Sequence, residues 1–360
     1  MGFPLDSCRT VQHTGGSFFV SDTTLNKPTP TTITRTPEEI LNRSGQEIPA
    51  LLLPRPDQVF AERALRLRQL AAGHAMRDYL MLLAVVCEAQ HTQAQGGLHV
   101  PAPTAAQCEA AAQAGEPALD AVHWPRDAQW RSQLRALLVQ VLDKLPADSP
   151  ARTVVQQAAA LDDDTLEQQA NRLLAGITLG LDMATAPLVA AGLQLYFTQL
   201  AAAAGAALLP HHAPGKHSPR CPCCGSLPVA SITRLGGSQE GQRYLHCTLC
   251  NTQWHMNRVQ CTHCGATDGI QYQSLQAVQS DGKPLQRPSI EAETCDACHH
   301  YLKVVHMAQD LHVEPLADDL ASLTLDLLVS ETGMQRHGTN LLLLFGEAEE
   351  EAQEADTGVH

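Results

Sequence analysis

Apolar residues recur at helical spacing through most of the chain's first two hundred positions. After Pro56, the residues Phe60, Ala64, Leu67 and Leu70 or Ala71 fall on one face, and Asp57 stands where an N-cap belongs. Tyr79, Leu83, Val86 and Cys87 draw a second face beyond a break at Gly73-His74. Trp130, Leu134, Leu137, Leu138, Val141 and Leu145 draw another, which Pro146 ends because proline cannot donate the next helical hydrogen bond. Leu166, Ala170, Leu173 and Leu174 follow an aspartate run in which Asp164 and Glu167 hold capping-box spacing, and a last helix follows Pro187 through Leu193, Tyr196, Phe197 and Leu200. Helices in this number, with no convincing strand among them, predict an all-α domain over residues 50–209.

Beyond residue 220 the pattern changes to short alternating runs. Val229 to Arg234 and Arg243 to His246 flank a Gly236-Gly237-Ser238 turn, and Ile270 to Leu275 and Ile290 to Glu293 flank a loop with Asp281-Gly282. Each pair of runs reads as a β-hairpin. Tyr301 to Met307 reads as a further strand, and Leu320, Leu323, Leu327 and Leu328 after Asp318-Asp319 as the apolar face of a helix. The run Leu341 to Phe345 is expected to close a sheet. The fold class is therefore α+β: a helical domain, a strand-rich region, and a short carboxy-terminal strand-helix segment.

The strand-rich region carries the candidate chemistry. Four Cys-x-x-Cys pairs fall within 78 residues, namely Cys221/Cys224, Cys247/Cys250, Cys261/Cys264 and Cys295/Cys298. Two cysteines three apart bend the backbone into a knuckle that aims both sulfurs at one point, and two knuckles supply the tetrahedral S4 shell that Zn(II) or iron accepts. Disulfides are the competing reading, but a loop closed inside each pair would be strained and the amino terminus shows no secretory pattern. The gaps between knuckles are 22, 10 and 30 residues. Since each long gap holds a hairpin, the first knuckle is expected to join the second and the third the fourth, giving rubredoxin-like or zinc-ribbon lobes at 221–260 and 261–346 with the short gap as a linker. An S4 shell has no open coordination position, so it argues against a metallohydrolase and suits a structural or one-electron role. Backbone N–H groups, helped by Gly225 and Gly265, would hydrogen-bond the sulfurs. Cys223 inside the first knuckle reads as a bystander, Cys87 as a core residue, and Cys108 has no partner. His246, His255, His263, His299 and His300 could replace a sulfur, although eight well-spaced cysteines make that unnecessary.

Composition narrows the classes. The chain has 360 residues, enough for a full core and more than one domain, and a net charge of −14. The metal region holds five basic against six acidic residues, which disfavours nucleic acid and makes Tyr244, Trp254 and Tyr272 hairpin packing before base-stacking platforms. Residues 1–49 are Thr/Pro-rich and 347–360 are acidic, and both are expected to be flexible. Residues 210–220, with His211, His212 and His217, read as a linker. The uncharged stretch from Met183 to Gly215 contains Pro187, Gln194 and Gln199 and reads as a buried helix, not a membrane span. No serine elbow, phosphate loop, GxGxxG or HExxH occurs, so no enzyme chemistry is expected and the cytoplasm is the expected compartment.

The motifs together resemble a known family, the FdhE-type formate dehydrogenase accessory (formation) proteins. The resemblance rests on Cys221-Pro222-x-Cys224-Gly225, Cys247-x-x-Cys250 followed by Trp254, Cys261-x-x-Cys264-Gly265, and Glu293-Thr294-Cys295-Asp296-x-Cys298 running into Tyr301-Leu302-Lys303. It extends to Ala317-Asp318-Asp319-Leu320, Leu325-Asp326, Glu331-x-Gly333-x-x-Arg336-x-Gly338-x-Asn340, and to the helical segment Arg63 to Leu83. The resemblance implies a cytoplasmic helper whose two lobes bind iron and which acts on the catalytic subunit of a molybdenum- or tungsten-dependent formate dehydrogenase before twin-arginine export. The chain departs from the family pattern in its leader, in Cys223, and in Leu342 where proline is expected. A rubredoxin-like electron carrier and a zinc-ribbon nucleic-acid binder are the competing functions.

Overall fold

The computed structural model describes residues 18–23 (backbone only), 48–97, 101–209, 212–236, 239–277 and 287–345. The rest of the leader, His211, the Gly237-Ser238 turn, the Asp281-Gly282 loop and the acidic tail lie outside the described residues.

Among the described residues, seven helices build the amino-terminal part: α1 (Val59–Leu70), α2 (Arg77–Gln95), α3 (Ala105–Ala114), α4 (Gln129–Lys144), α5 (Ala151–Ala160), α6 (Asp163–Ala175) and α7 (Ala186–Ala204). The expected apolar faces are the buried ones: Phe60 and Leu67 on α1, Leu83, Val86 and Cys87 on α2, and Trp130, Leu134, Leu137, Leu138 and Val141 on α4. Helix α7 is apolar on every side and is buried on nearly every side, with α2, α4 and α6 packed around it. Its extension Ala186–Ala207 is long and apolar enough to cross a membrane, yet most of it is enclosed by the fold, so burial accounts for its composition.

Two caps differ from expectation. Asp57 does not cap α1, whose N-cap is Gln58 with no side-chain bond. At α6 the cap is Asp162, whose Oδ1 accepts from Thr165 N at 2.7 Å, so the helix starts earlier than the capping-box reading at Asp164 placed it. Glu167 is instead occupied by Trp130 Nε1 at 2.8 Å and by Arg126 at 2.7 Å and Arg131 at 2.5 Å.

The strands are β1 (Phe18–Thr23), β2 (Leu51–Leu52), β3 (Pro228–Thr233), β4 (Arg243–Cys247), β5 (Gln253–Met256), β6 (Ile270–Ala277), β7 (Ile290–Cys295), β8 (His300–His306) and β9 (Gln335–Arg336). They form one sheet in the order β1-β6-β7-β8-β3-β4-β5-β2, with β9 alongside β8. Both expected hairpins are present, β3/β4 and β6/β7. What joins them is a parallel ladder in which Ser231, Ile232 and Thr233 of β3 face Val304, Val305 and His306 of β8. The metal region is therefore one continuous sheet.

Four expectations are corrected here. The 10-residue gap, expected to be a linker, contains β5, which pairs with β4 and with Leu51-Leu52, so the helical part also supplies a short strand. Within the leader expected to be flexible, Phe18–Thr23 pairs antiparallel with β6, its Phe-Phe-Val run being strongly β-forming. Leu341 to Phe345 forms no strand; Leu341 and Leu342 are buried against the helical core in irregular backbone, and Tyr79 Oη donates to the Leu342 carbonyl. Asp318 and Asp319 do not precede a helix but lie buried inside α8 (Pro315–Ala321), which Glu314 caps. The following helix α9 (Leu323–Glu331) buries Leu325, Asp326 and Val329, while Leu327 is 57% exposed.

Candidate metal centres

The four knuckles share one backbone shape. In each, the residue four after the first cysteine is left-handed: Gly225 (φ 77°), Asn251 (φ 58°), Gly265 (φ 80°) and His299 (φ 55°). Three of these donate their N–H to the first cysteine's carbonyl, at 2.8 Å (Gly225), 3.0 Å (Gly265) and 2.9 Å (His299). Glycine adopts this conformation without a Cβ clash, and Asn and His are the side chains that tolerate it best. Placing a β-branched side chain there, as in Gly265→Val, is expected to cost about 1–2 kcal/mol. The lowered urea midpoint of the folded chain measures it.

The knuckles bring the sulfurs together in two tetrads, Cys221/Cys224/Cys247/Cys250 and Cys261/Cys264/Cys295/Cys298, whose ligand atoms lie within 4.8 Å of one another in each. This is the pairing the hairpins indicated. Across the knuckles, Cys221 Sγ is 3.6 Å from Cys250 Sγ and Cys224 Sγ 3.4 Å from Cys247 Sγ; in the other tetrad, Cys261 to Cys298 is 3.6 Å and Cys264 to Cys295 is 3.7 Å. A tetrahedron with metal–sulfur bonds of about 2.3 Å has edges of about 3.8 Å. A disulfide would require about 2.05 Å. The donor set therefore fits a four-coordinate thiophilic ion and not a cross-link.

The two tetrads sit in different surroundings. The inner one is buried, and its cysteines belong to the same apolar core as α2, α4 and α7. The helical part grips it from two sides. Leu119 N and Ala121 N donate to the Cys223 and Cys224 carbonyls at 2.9 Å, Gln194 Nε2 of α7 donates to Thr248 O at 2.7 Å, and Asn251 Nδ2 donates to Thr198 Oγ1 at 2.8 Å. Leu249 N and Cys250 N both reach Cys247 Sγ at 3.4 Å, and the Thr252 hydroxyl lies 3.3 Å from Cys250 Sγ, where it can donate to a thiolate. The outer tetrad has a small core of its own around Ile270, and its Cys264 is exposed and Cys298 half-buried.

Charge distribution follows the environment. Burial pushes the Cys221 and Cys247 thiols well up, and Cys223 is raised by its hydrogen bond with Cys250 and then by burial. Burial alone would raise Cys250 too, but hydrogen bonds from Cys221, Cys223, Cys224 and Cys247 reverse it. In the outer tetrad Cys264 is likewise lowered, against its desolvation, by the Ala266 backbone and the neighbouring thiols. Cys223 is fully buried beside the inner cluster.

The histidines go elsewhere. His246 is fixed between Asn251 Oδ1 at 3.1 Å and Gln253 Nε2 at 3.0 Å, His255 accepts from Gly215 N at 2.9 Å, and His217 Nε2 meets Thr262 O at 3.0 Å. Among the described residues, His263 and His300 come close to a sulfur, that of Cys298. Tyr244 donates to Pro49 O at 2.9 Å and Tyr272 to Glu293 at 2.9 Å, while Trp254 donates to Ser218 O at 3.0 Å, all contacts within the fold.

Sequence reasoning missed a buried ionic framework around the tetrads. Arg63 of α1 donates to Glu314 at 3.0 Å and to Asn251 Oδ1 at 2.6 Å, and Arg66 donates to Asp318 at 2.6 Å. Lys303, fully buried on β8, contacts Asp319 Oδ1 at 2.8 Å, Asp326 Oδ2 at 2.5 Å and Ser322 Oγ at 3.0 Å. Arg336 completes a two-plus-two cluster through Asp319 at 2.7 Å and Asp326 at 3.4 Å, and Asn340 donates to Asp319 at 2.8 Å. Arg243 crosses from the first hairpin to Glu293 of the second at 2.9 Å. The sequence signals were the charged residues inside apolar segments at 314–326 and the family-motif residues Lys303, Asp318, Asp319, Asp326, Arg336 and Asn340, which nothing in the sequence brought together.

Comparison with known proteins divides the chain in three. Residues 48–213 match the model of the FdhE N-terminal region, 220–258 that of the FdhE central domain and 259–343 that of the FdhE C-terminal domain. Protein FdhE of Escherichia coli is 36% identical over 310 residues, 85% of this chain and 95% of that protein. Its homologue from Pectobacterium carotovorum is 38% identical over 316 residues, 85% and 96% of the two chains. The crystal structure of the FdhE protein from Pseudomonas aeruginosa superposes with a TM-score of 0.68 at 32% identity, covering 83% of this chain and all of that one.

Proposed function

The chain belongs to the FdhE family, and on that premise we propose that it is a cytoplasmic accessory factor in formate dehydrogenase maturation, without enzymatic activity of its own. In this reading it binds the immature catalytic subunit and assists its assembly before twin-arginine export, with iron, or zinc in its place, in two four-cysteine shells. The observation that carries the reading is the pair of closed tetrads, each with four sulfurs at tetrahedral-edge spacing. Such a shell leaves no coordination position for substrate or water, so its use is to hold a surface or to change charge state. The ligands would be Cys221, Cys224, Cys247 and Cys250 for the inner ion and Cys261, Cys264, Cys295 and Cys298 for the outer one. The net charge of −14 favours a basic partner segment such as a twin-arginine leader and disfavours nucleic acid, and the enclosure of Ala186–Ala207 within the fold speaks against membrane insertion.

Capture of a formate dehydrogenase catalytic subunit on the tagged chain tests the proposal. The double variant Cys264→Ser/Cys298→Ser is expected to abolish capture while far-ultraviolet circular dichroism and one equivalent of bound metal persist. Undiminished capture would mean that the outer lobe is not the docking face. Exposure of Cys264 also favours a second reading, an electron carrier. That reading requires iron and a reversible one-electron couple in the anaerobically purified protein, whereas a colourless zinc protein sinks it.

A further inference from the structure

We propose that His263, Cys298 and His300 form an auxiliary site for a borderline divalent cation such as Zn2+ on the rim of the outer tetrad, and that metal enters and leaves that tetrad through it. The inference rests on the reading that the outer tetrad holds metal. One ligand atom from each of the three residues lies within 4.8 Å of the others. The inner tetrad has nothing similar among the described residues. The first knuckle has Cys223 where the third has His263, and the second is followed by Thr252 where the fourth is followed by His300.

Each donor is available. His300 Nδ1 lies 2.7 Å from the Cys298 carbonyl, which can only accept, so this nitrogen carries the proton and the neutral ring keeps its lone pair on Nε2. A ligating imidazole is commonly held by such a bond from its other nitrogen to a backbone carbonyl. The His263 side chain is exposed and its ring makes no hydrogen bond among the described residues. A thiolate keeps lone pairs beyond the one it gives to the tetrad, so Cys298, half-buried and open on this side, can bridge a second ion.

The free site is not fully arranged for binding. The two imidazoles stack at 3.8 Å with an interplanar angle of 7°, so an ion in the plane of one ring would lie out of the plane of the other. Binding therefore turns His263 about its side-chain bonds. An exposed ring with no hydrogen bond to break does so at small cost, and His337, edge-on at 5.2 Å, stays anchored to the Pro219 carbonyl at 2.9 Å.

The test uses the full chain loaded with zinc and an excess of a chromophoric chelator. The wild type is expected to release its zinc in a fast phase from the outer tetrad and a slow phase from the inner one. In His263→Gln/His300→Gln the fast phase slows by about tenfold, the scale of losing a supporting ligand at a metal site. Titration of the metal-free wild type with Co2+ is expected to show a third equivalent with mixed nitrogen and sulfur absorption, lost in the double variant. Outer zinc released equally fast by both proteins would overturn the proposal and leave the tetrad reading intact. A wild type that holds a single zinc would sink both.

Discussion

Cys247→Ser/Cys250→Ser is expected to unfold the helical part together with the sheet, because the inner tetrad is a fastener between them and not the core of a separate lobe. Its four cysteines are buried among side chains of the helical part, and both helix α7 and the 119–121 loop exchange hydrogen bonds with its two knuckles. Binding a structural zinc releases roughly 10–16 kcal/mol in small metal-dependent domains, against about 5–15 kcal/mol for the whole stability of a typical fold. Removing half of the ligands thus removes an amount comparable to the total. Differential scanning calorimetry should show the main cooperative transition lost in this variant. The outer variant Cys264→Ser/Cys298→Ser should retain it, since that tetrad has only the small cluster around Ile270 beneath it. A normal melting transition in the inner variant would show that packing alone holds the two parts together.

Lys303→Met is expected to cost about 3–5 kcal/mol, the usual penalty for leaving a buried charge without its partner. Lys303 is inaccessible to solvent and neutralises Asp319 and Asp326 jointly with Arg336. The variant leaves two buried carboxylates facing one guanidinium, beneath β8 at the centre of the sheet. The exposed pair Arg77–Asp78 is the comparison, and breaking it should shift stability by less than about 1 kcal/mol. Urea midpoints of the two variants separate the cases; equal shifts would remove the framework from the account of stability.

These two effects differ in how far the sequence foretells them. The sulfurs could be grouped correctly because turn chemistry between knuckles restricts the pairing, and five helices were visible because period 3.6 survives in any single sequence, whereas α3 and α5 were not anticipated. The ionic framework was not visible. A buried Asp318 or Lys303 has the same letter as a solvated one, and only the folded position of its partners distinguishes the two cases: Arg66 on a distant helix for Asp318, and Asp319 and Asp326 across from the sheet for Lys303. Strand β5 was hidden for a different reason. It is only four residues long, and they become a strand because β4 and Leu51-Leu52 offer hydrogen bonds on both edges. Leu341 to Leu344 is apolar for packing against the helical core, which a strand pattern cannot be told from in so short a run, while Phe345 beyond it is exposed.

The late position of the sheet's inner seam has a further consequence during synthesis. Helix α7 is complete at residue 204, but the strand that aligns with β3 ends at His306, and Leu341 and Leu342 arrive last of all. A nascent chain halted soon after Cys298 would present helix α1 without its later partner α8, leaving Arg63 and Arg66 without Glu314 and Asp318. Nonsense or frameshift products ending there should therefore be recognised by proteases and holdase chaperones as unfinished, even though every cysteine has already been translated.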